Sequence, residues 1–315
     1  MILALALAGL GTQLSFAGDV DPDLPVYEPV PGVSGNLDSI GSDTLNNLMT
    51  LWAESFQAIY PNVHIQIEGK GSSTAPPALI EGTAQLGPMS REMKSSEIDK
   101  FEAKYGYKPY QIGVALDALA VFVHKDNPLE GLSLKQLDSI FSSTLKRGGE
   151  PIETWGQAGM EGDWASRSIS TYGRNSASGT YGFFKDVTLL KGDYKATVKE
   201  QPGSSAVVQG IGSDLYGIGY SGIGYKTSGV KVLSLSADGG KLYEPSMANC
   251  LSGDYPLARL LYIYINKNPV EELNTLTREF LKFVLSKQGQ EIVVKDGYYP
   301  LPAEIAARYI ADLEK

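Results

Sequence analysis

One pattern constrains this chain more than any other: a strand runs straight into a glycine- and hydroxyl-rich turn and then into an amphipathic helix, and it recurs. The plainest copy is Gly173-Arg174-Asn175-Ser176-Ala177-Ser178-Gly179-Thr180-Tyr181, fed by the strand-like Ile169-Ser170-Thr171-Tyr172. Tyr181, Phe183, Phe184, Val187 and Leu190 follow at helical spacing. Ser178 and Thr180 are N-cap residue types, and Gly179 permits close approach to the backbone. A helix opening here turns unsatisfied N–H groups and its positive dipole end toward whatever sits in front. Arg174 adds a planar fork suited to tetrahedral oxyanions. Taken alone, the segment is equally an ordinary capped helix beside a surface arginine.

Two further copies precede it. Gly35-Asn36-Leu37 leads into Gly41-Ser42-Asp43-Thr44, after which Leu45, Leu48, Met49, Trp52, Phe56 and Ile59 recur at helical spacing. Val63–Ile67 leads into Gly69-Lys70-Gly71-Ser72-Ser73-Thr74, with Pro76 and Pro77 fitting the first turn of a helix that ends at Gly82. A fourth turn, Leu86-Gly87-Pro88-Met89-Ser90-Arg91, ends a short strand on a hydroxyl and a cation. Elsewhere the patterns predict helices over 96–101, 133–141, 204–211, 276–285, 289–294 and 303–313, and strands over 217–220 and 260–266. Two strand-like runs fall within 110–123, a turn at Lys125-Asp126-Asn127-Pro128, and a loop at Ser213-Asp214-Leu215. Alternating strands and helices argue for the α/β class with mainly parallel sheets. Such sheets bind ligands in crevices beyond the carboxyl ends of their strands.

Composition narrows the function. With 315 residues and 43% hydrophobic content, the chain can build two domains with cores. A net charge of −9 argues against nucleic acid or an anionic membrane as partner, while leaving a small anion held by local dipoles acceptable. Cys250 is the sole cysteine, so neither an internal disulfide nor a cysteine metal cluster can form. His64 lies on the outward phase of a strand and His124 ends an apolar run, with nothing nearby to complete a catalytic or metal constellation. No metal and no cofactor are expected. The start, an apolar run over 1–8 followed by Ser15-Phe16-Ala17, reads as a signal peptide over 1–17, truncated because a basic n-region is missing. Export with cleavage near Ala17 is expected, followed by a proline-rich leader over 18–33, extended or disordered.

The four turns share one chemistry: many neutral donors, one or two arginines, and no nucleophile–base pair. That suits reversible capture of an oxyanion better than turnover, so the chain is not expected to be an enzyme.

The chain resembles the periplasmic phosphate-binding proteins of bacterial Pst ABC transporters, a type II periplasmic-binding-protein family, over residues 34–310. The resemblance is carried by Ile40-Gly41-Ser42-Asp43-Thr44-Leu45, Gly71-Ser72-Ser73, Leu86–Arg91 and Gly173–Thr180, supported by Gly217-Ile218-Gly219-Tyr220 and Lys295–Pro302. It implies two α/β lobes joined by two crossover strands that close on phosphate like a hinge. Lobe I would comprise 34–122 and 264–315, lobe II 123–263, with crossings near Val121–His124 and Tyr262–Ile265. It also implies a periplasmic monomer that delivers inorganic phosphate to the permease subunits of an ABC transporter. Matched by position, Thr44 would give its hydroxyl and N–H, with the Leu45 N–H beside it; Ser72 would cap one oxygen. Arg174 would make the charged contact, and Ser178, Gly179 and Thr180 would supply further donors.

Two positions depart from the family pattern. Ser90 stands where many members carry an aspartate that accepts the ligand's proton, and Ser176 replaces the aspartate beside the arginine. A buried donor on the ligand left unpaired costs about 1–3 kcal/mol, so other acceptors are expected. Ser90 can accept through its hydroxyl, Arg91 can offset ligand charge, and Asp43 is either a further acceptor or the cap of the Thr44 helix. The alternatives are a receptor for sulfate or arsenate, and a secreted phosphoesterase, which would need a metal or an activated nucleophile.

Overall fold

The computed structural model describes residues 20–315; the expected signal peptide lies outside them. The chain first lays down β1 (Gly35–Ile40), α1 (Asn46–Ile59), β2 (Val63–Glu68), α2 (Ala75–Glu81), β3 (Gly87–Met89) and α3 (Ser95–Tyr105), then a long strand β4 (Tyr110–His124). A second group follows: β5 (Gly131–Ser133), α4 (Leu134–Phe141), β6 (Ser170–Arg174), α5 (Gly179–Val187), β7 (Lys199–Gln201), α6 (Ser204–Gly212), β8 (Gly217–Gly222), β9 (Val230–Val232), β10 (Ser234–Ser236) and α7 (Met247–Ser252). The chain returns through β11 (Ala258–Ile265) and ends with α8 (Thr275–Leu285), α9 (Lys287–Lys295) and α10 (Ala303–Leu313).

Burial separates these groups into two lobes. The apolar stripe of α1, with Trp52 and Phe56 fully buried, packs with Ile112, Ile263, Phe280 and Val284 in one core. Phe141, Trp155, Phe184 and Tyr220 gather with Leu119 and Val121 in the other, where the Phe184 and Tyr220 rings stack at 4.0 Å. Local signals set several boundaries as predicted. Ser133 caps α4 in a reciprocal box with Gln136, and Ser178 caps α5 by accepting from the Thr180 and Tyr181 N–H groups. His64 faces outward, as its alternation predicts.

Three expectations need correction. The sheets are mixed rather than mainly parallel: β1–β2, β5–β10, β6–β7 and β6–β8 pair in parallel, whereas β11 with β3 and β4, and β4 with β8 and β9, run antiparallel. The antiparallel pairs all involve the two long strands that join the lobes. Residues 110–123 form one strand rather than two. It pairs with β11 up to Ala118 and with β8 from Leu119. The lobes therefore exchange at Ala118–Leu119 and, on the return, near Leu257, whose carbonyl accepts from the Leu119 N–H at 2.9 Å. These crossings lie several residues before the expected Val121–His124 and Tyr262–Ile265; β4, buried on both faces, reads as an almost continuous apolar run and carries no mark of which sheet it serves.

The leader is extended but not disordered over its described part. Leu24, Tyr27 and Val33 are buried in the first core, and the Pro25 carbonyl accepts from the Lys287 N–H at 2.8 Å. The Tyr27 hydroxyl donates to Glu279 and meets the Tyr60 hydroxyl at 2.8 Å. Prolines hold the segment extended while its apolar side chains reach the core, which a reading based on proline content alone misses.

Candidate functional site

The turns singled out in the sequence meet where the lobes face each other. Asp43-Thr44-Leu45 and Ser72-Ser73-Thr74 are single 3-10 turns that run directly into α1 and α2, and Gly179 and Thr180 open α5. First-turn N–H groups have no partner within their own helix, so three sets of backbone donors converge. The hydroxyls converge as well. Thr44 Oγ1 lies 2.9 Å from Thr180 Oγ1 across the lobes. Ser72 Oγ accepts from the Ser90 N–H at 3.0 Å, its hydroxyl lies 3.3 Å from that of Ser90, and Ser42 Oγ donates to Ser90 Oγ at 3.1 Å. Ser42, Thr44, Leu45, Ser72, Ser90, Ser178 and Thr180 are all buried.

Gly179 is required by this closeness. A Cβ there would stand 2.3 Å from Ser72 Oγ and 2.6 Å from Ser90 Oγ. Gly71, at φ +117, serves the same approach, for a Cβ there would meet the Ala177 carbonyl oxygen at 2.6 Å. The Ser73 N–H donates to that carbonyl at 3.1 Å, a second bond between lobes.

Arg174, at the end of β6, is 1% exposed. Its Nη1 donates to Ser204 Oγ at 2.7 Å and lies 3.1 Å from Asp43 Oδ2, its Nη2 donates to the Pro202 carbonyl, and its Nε is buried with no protein acceptor. Burial pushes the guanidinium's pKa down and Asp43 pulls it back up, while the neighbouring charge of Arg259 pushes it down again. An anionic oxygen would supply the acceptor that its Nε lacks.

Asp43 does not cap its own turn. Its Oδ2 reaches the other lobe, accepting from the Ser204 N–H and Oγ at 2.8 Å each besides pairing with Arg174. A carboxylate at the N-terminus of α6 is favoured by the helix dipole. Asp43 thus supplies the carboxylate partner of Arg174 that exposed Ser176 lacks. The carbonyls of this turn are held by Tyr225, whose hydroxyl donates to Asp43, and by Tyr298, which donates to Thr44 at 2.9 Å.

Arg91 is engaged by a carboxylate of its own lobe. Both its terminal nitrogens donate to Glu97, at 2.8 Å each, and Nη1 also donates to the Glu92 carbonyl. Burial raises the Glu97 carboxyl, yet the Arg91 and Lys94 hydrogen bonds and charges outweigh it and leave the pKa below its ordinary value. The reason is local: Glu97 sits in the first turn of α3 within reach of Arg91, so that charge is spent inside its own lobe.

A second guanidinium escaped the sequence reading. Arg259 on β11 pairs with Asp117 on β4 at 2.7 Å, the two side chains 2% and 0% exposed, and it also donates to the Ser90 carbonyl and to Thr180 Oγ1. The available signal was Asp117 itself, a carboxylate inside an apolar run, which burial obliges to find a cation. Among the described residues no group of three or more His, Cys, Asp or Glu could hold a metal, and no helix is long and apolar enough to cross a membrane.

A family model for the PBP superfamily domain matches residues 28–288. The phosphate-binding protein PstS of Pseudomonas aeruginosa is 56% identical over 313 residues, 99% of this chain and 97% of that protein. The chain belongs to the PstS family. Solved structures agree on the fold. One from Clostridium perfringens that holds bound phosphate superposes with a TM-score of 0.72 at 24% identity, covering 85% of this chain and all of that one. An ABC-type phosphate transport receptor from Vibrio cholerae superposes at 0.66 with 22% identity, covering 84% and 100%. The type II periplasmic-binding-protein architecture expected from the sequence is therefore that of the PstS family, with the mixed sheet described above.

Proposed function

We propose that this chain is a transport receptor, not an enzyme, which captures inorganic phosphate between its lobes and hands it to the permease subunits of a phosphate ABC transporter. The observation that carries the proposal is the buried cluster of Thr44, Ser72, Ser90 and Thr180 hydroxyls, Ser72 and Ser90 tight against Gly179, together with a buried Arg174 whose Nε has no protein acceptor. Ligand contacts are assigned to Thr44, Leu45, Ser72, Ser90, Arg174, Ser178, Gly179 and Thr180. Arg91 is left out, since Glu97 already takes both its terminal nitrogens. Neutral donors dominate, and each nearby arginine has its own carboxylate: Arg174 with Asp43, Arg259 with Asp117, Arg91 with Glu97. Fixed dipoles, strong in a desolvated cleft, replace the ion's water shell.

Selectivity for phosphate over sulfate needs an acceptor for the proton that only phosphate carries. We assign it to Asp43, the carboxylate paired with Arg174, with the Ser90 hydroxyl as second acceptor. Export to the periplasm, which the signal-like start supports, and action as a monomer complete the reading. Calorimetric titration of phosphate-stripped protein tests it. Phosphate is expected to bind at least about thirtyfold more tightly than sulfate, because an unmatched buried donor or acceptor on each of two partners costs about 1–3 kcal/mol. Equal affinities refute the selectivity assignment, and release of phosphate from a generic monoester refutes the receptor.

A further inference from the structure

We propose that Arg259 is a positioning residue that couples anion capture in the cleft to both crossover strands. The inference rests on the proposed phosphate site and names a residue that acts on it from behind. Arg259 and Asp117 are opposite each other in the β4–β11 ladder, one residue before β4 changes partner from β11 to β8. The pair thus sits on the two strands about which the lobes are joined.

Arg259 spends its donors on three separate bodies. Nε donates to Asp117 Oδ2 at 2.9 Å, within the crossovers. Nη1 donates to the Ser90 carbonyl at 2.9 Å, at the end of β3 in the first lobe. Nη2 donates to Thr180 Oγ1 at 3.0 Å, on α5 of the second lobe, and the guanidinium lies 5.4 Å from the ring of Phe183 on the same helix. Asp117 extends the grip, its Oδ1 accepting from the Ile223 N–H just past β8.

The direction of these bonds matters. Guanidinium can only donate, so the Thr180 oxygen accepts from Arg259 and its single proton must point elsewhere. Thr44 Oγ1 stands 2.9 Å away, and an anion between the lobes would be the stronger acceptor. Arg259 therefore takes one acceptor position of the Thr180 oxygen and leaves its proton free for the cleft. When the lobes part, Ser90 and Thr180 separate and one guanidinium cannot hold both. Whatever fastens Thr180 beside Thr44 favours the three-way grip, and the grip in turn favours whatever fastens them, because coupling of this kind is reciprocal. A purely structural reading explains less: a buried ion pair is weak evidence for stability, and replacing such a pair with apolar residues is often neutral.

The test compares three proteins: wild type, the double variant Asp117→Leu/Arg259→Met, and Arg259→Lys. The double variant removes both charges together, so no buried charge is left alone. Lysine keeps the pairing with Asp117 but, with one ammonium, cannot reach Ser90 and Thr180 together. Inorganic phosphate is titrated by calorimetry, its release is followed by stopped flow into a phosphate trap, and melting is recorded without ligand. The double variant is expected to melt close to wild type yet release phosphate at least about tenfold faster with little change in association, since loss of interface contacts acts mainly on release. Arg259→Lys is expected between the two. Wild-type release from the double variant or from Arg259→Lys overturns the inference and leaves the phosphate site standing. Should the double variant fail to fold, Arg259→Lys alone decides by the same criterion. A wild-type protein that binds no phosphate overturns the proposed function and this inference with it.

Discussion

Replacing Gly179 with alanine should separate binding from folding more cleanly than any other single change. Gly179 is the first residue of α5 and has no positive φ, so alanine suits its backbone. The added Cβ, however, would stand 2.3 Å from Ser72 Oγ and 2.6 Å from Ser90 Oγ, whereas ordinary contact begins at 3.4 Å. Both serines belong to the opposite lobe and are fully buried, with Ser72 Oγ accepting from the Ser90 N–H, so they have little room to turn away. The facing surfaces must then retreat by about 1 Å to regain contact distance. Hydrogen bonds near 3.0 Å stretched by that amount pass beyond about 3.5 Å, where they no longer count. If two contacts to a charged ligand are lost at about 1.5–3 kcal/mol each, affinity falls by roughly 3–6 kcal/mol, at least about a hundredfold. The ligand-free protein, free to sit with its lobes apart, should melt at or slightly above the wild-type temperature. Calorimetric titration and a ligand-free melt measure the two halves. Binding within about threefold of wild type, or a large drop in melting temperature, refutes the reasoning, since a threefold change is only about 0.7 kcal/mol.

Further perturbations follow from the charge pairs. Arg174→Ala should weaken phosphate binding at least about tenfold, because a charge-assisted contact is lost, and titration of the variant checks this. Arg91→Met should change phosphate affinity by less than about threefold while lowering the melting temperature, since its charge is committed to Glu97 and a partner left in a half-buried pair is costly. Asp296 offers a pH test. Burial raises its carboxyl to about 6 from an ordinary 3.8, although Asn47 donates to it and pulls the other way. The folded state then binds this proton more tightly than the unfolded chain, so its contribution is full below the ordinary value and is lost as pH rises through about 6. The gap of about two pH units between those values caps the loss at about 3 kcal/mol, given about 1.4 kcal/mol per pH unit. Asp296→Asn should therefore be more stable than wild type at pH 7, with the gap closing toward pH 4, as denaturant melts at several pH values would record.

The parts of this structure that the sequence announced are those encoded by neighbours along the chain. Ser133 with Gln136, Ser178 ahead of Thr180, and the apolar stripe from Leu48 to Phe56 each specify their helix within a few positions, and the structure keeps them. The hydroxyl turns were legible for the same reason, because each is a strand end followed by a helix start. Partners fixed by folding were not. Arg259 and Asp117 are 142 positions apart, and Asp43 reaches Ser204 across 161. Nothing local to either residue names the other. Asp43 is instructive here: a turn aspartate before a helix reads as a cap, and only the approach of α6 turns it into the partner of Arg174. Arg91 shows the opposite case. A cation after a hydroxyl suggested a ligand contact, while Glu97, close in sequence and visible throughout, had the stronger claim. The leader is extended, one of the two states its prolines allow, while the burial of Leu24, Tyr27 and Val33 depends on a core formed by distant residues.

Arsenate places the central claim under direct observation, because it shares phosphate's tetrahedral geometry and its arsenic can be located by anomalous scattering. Crystals grown with arsenate in place of phosphate are expected to show a single strong peak among Thr44, Ser72, Gly179 and Thr180, within hydrogen-bonding reach of Arg174. A peak elsewhere on the protein, with this cluster bare, would contradict the account.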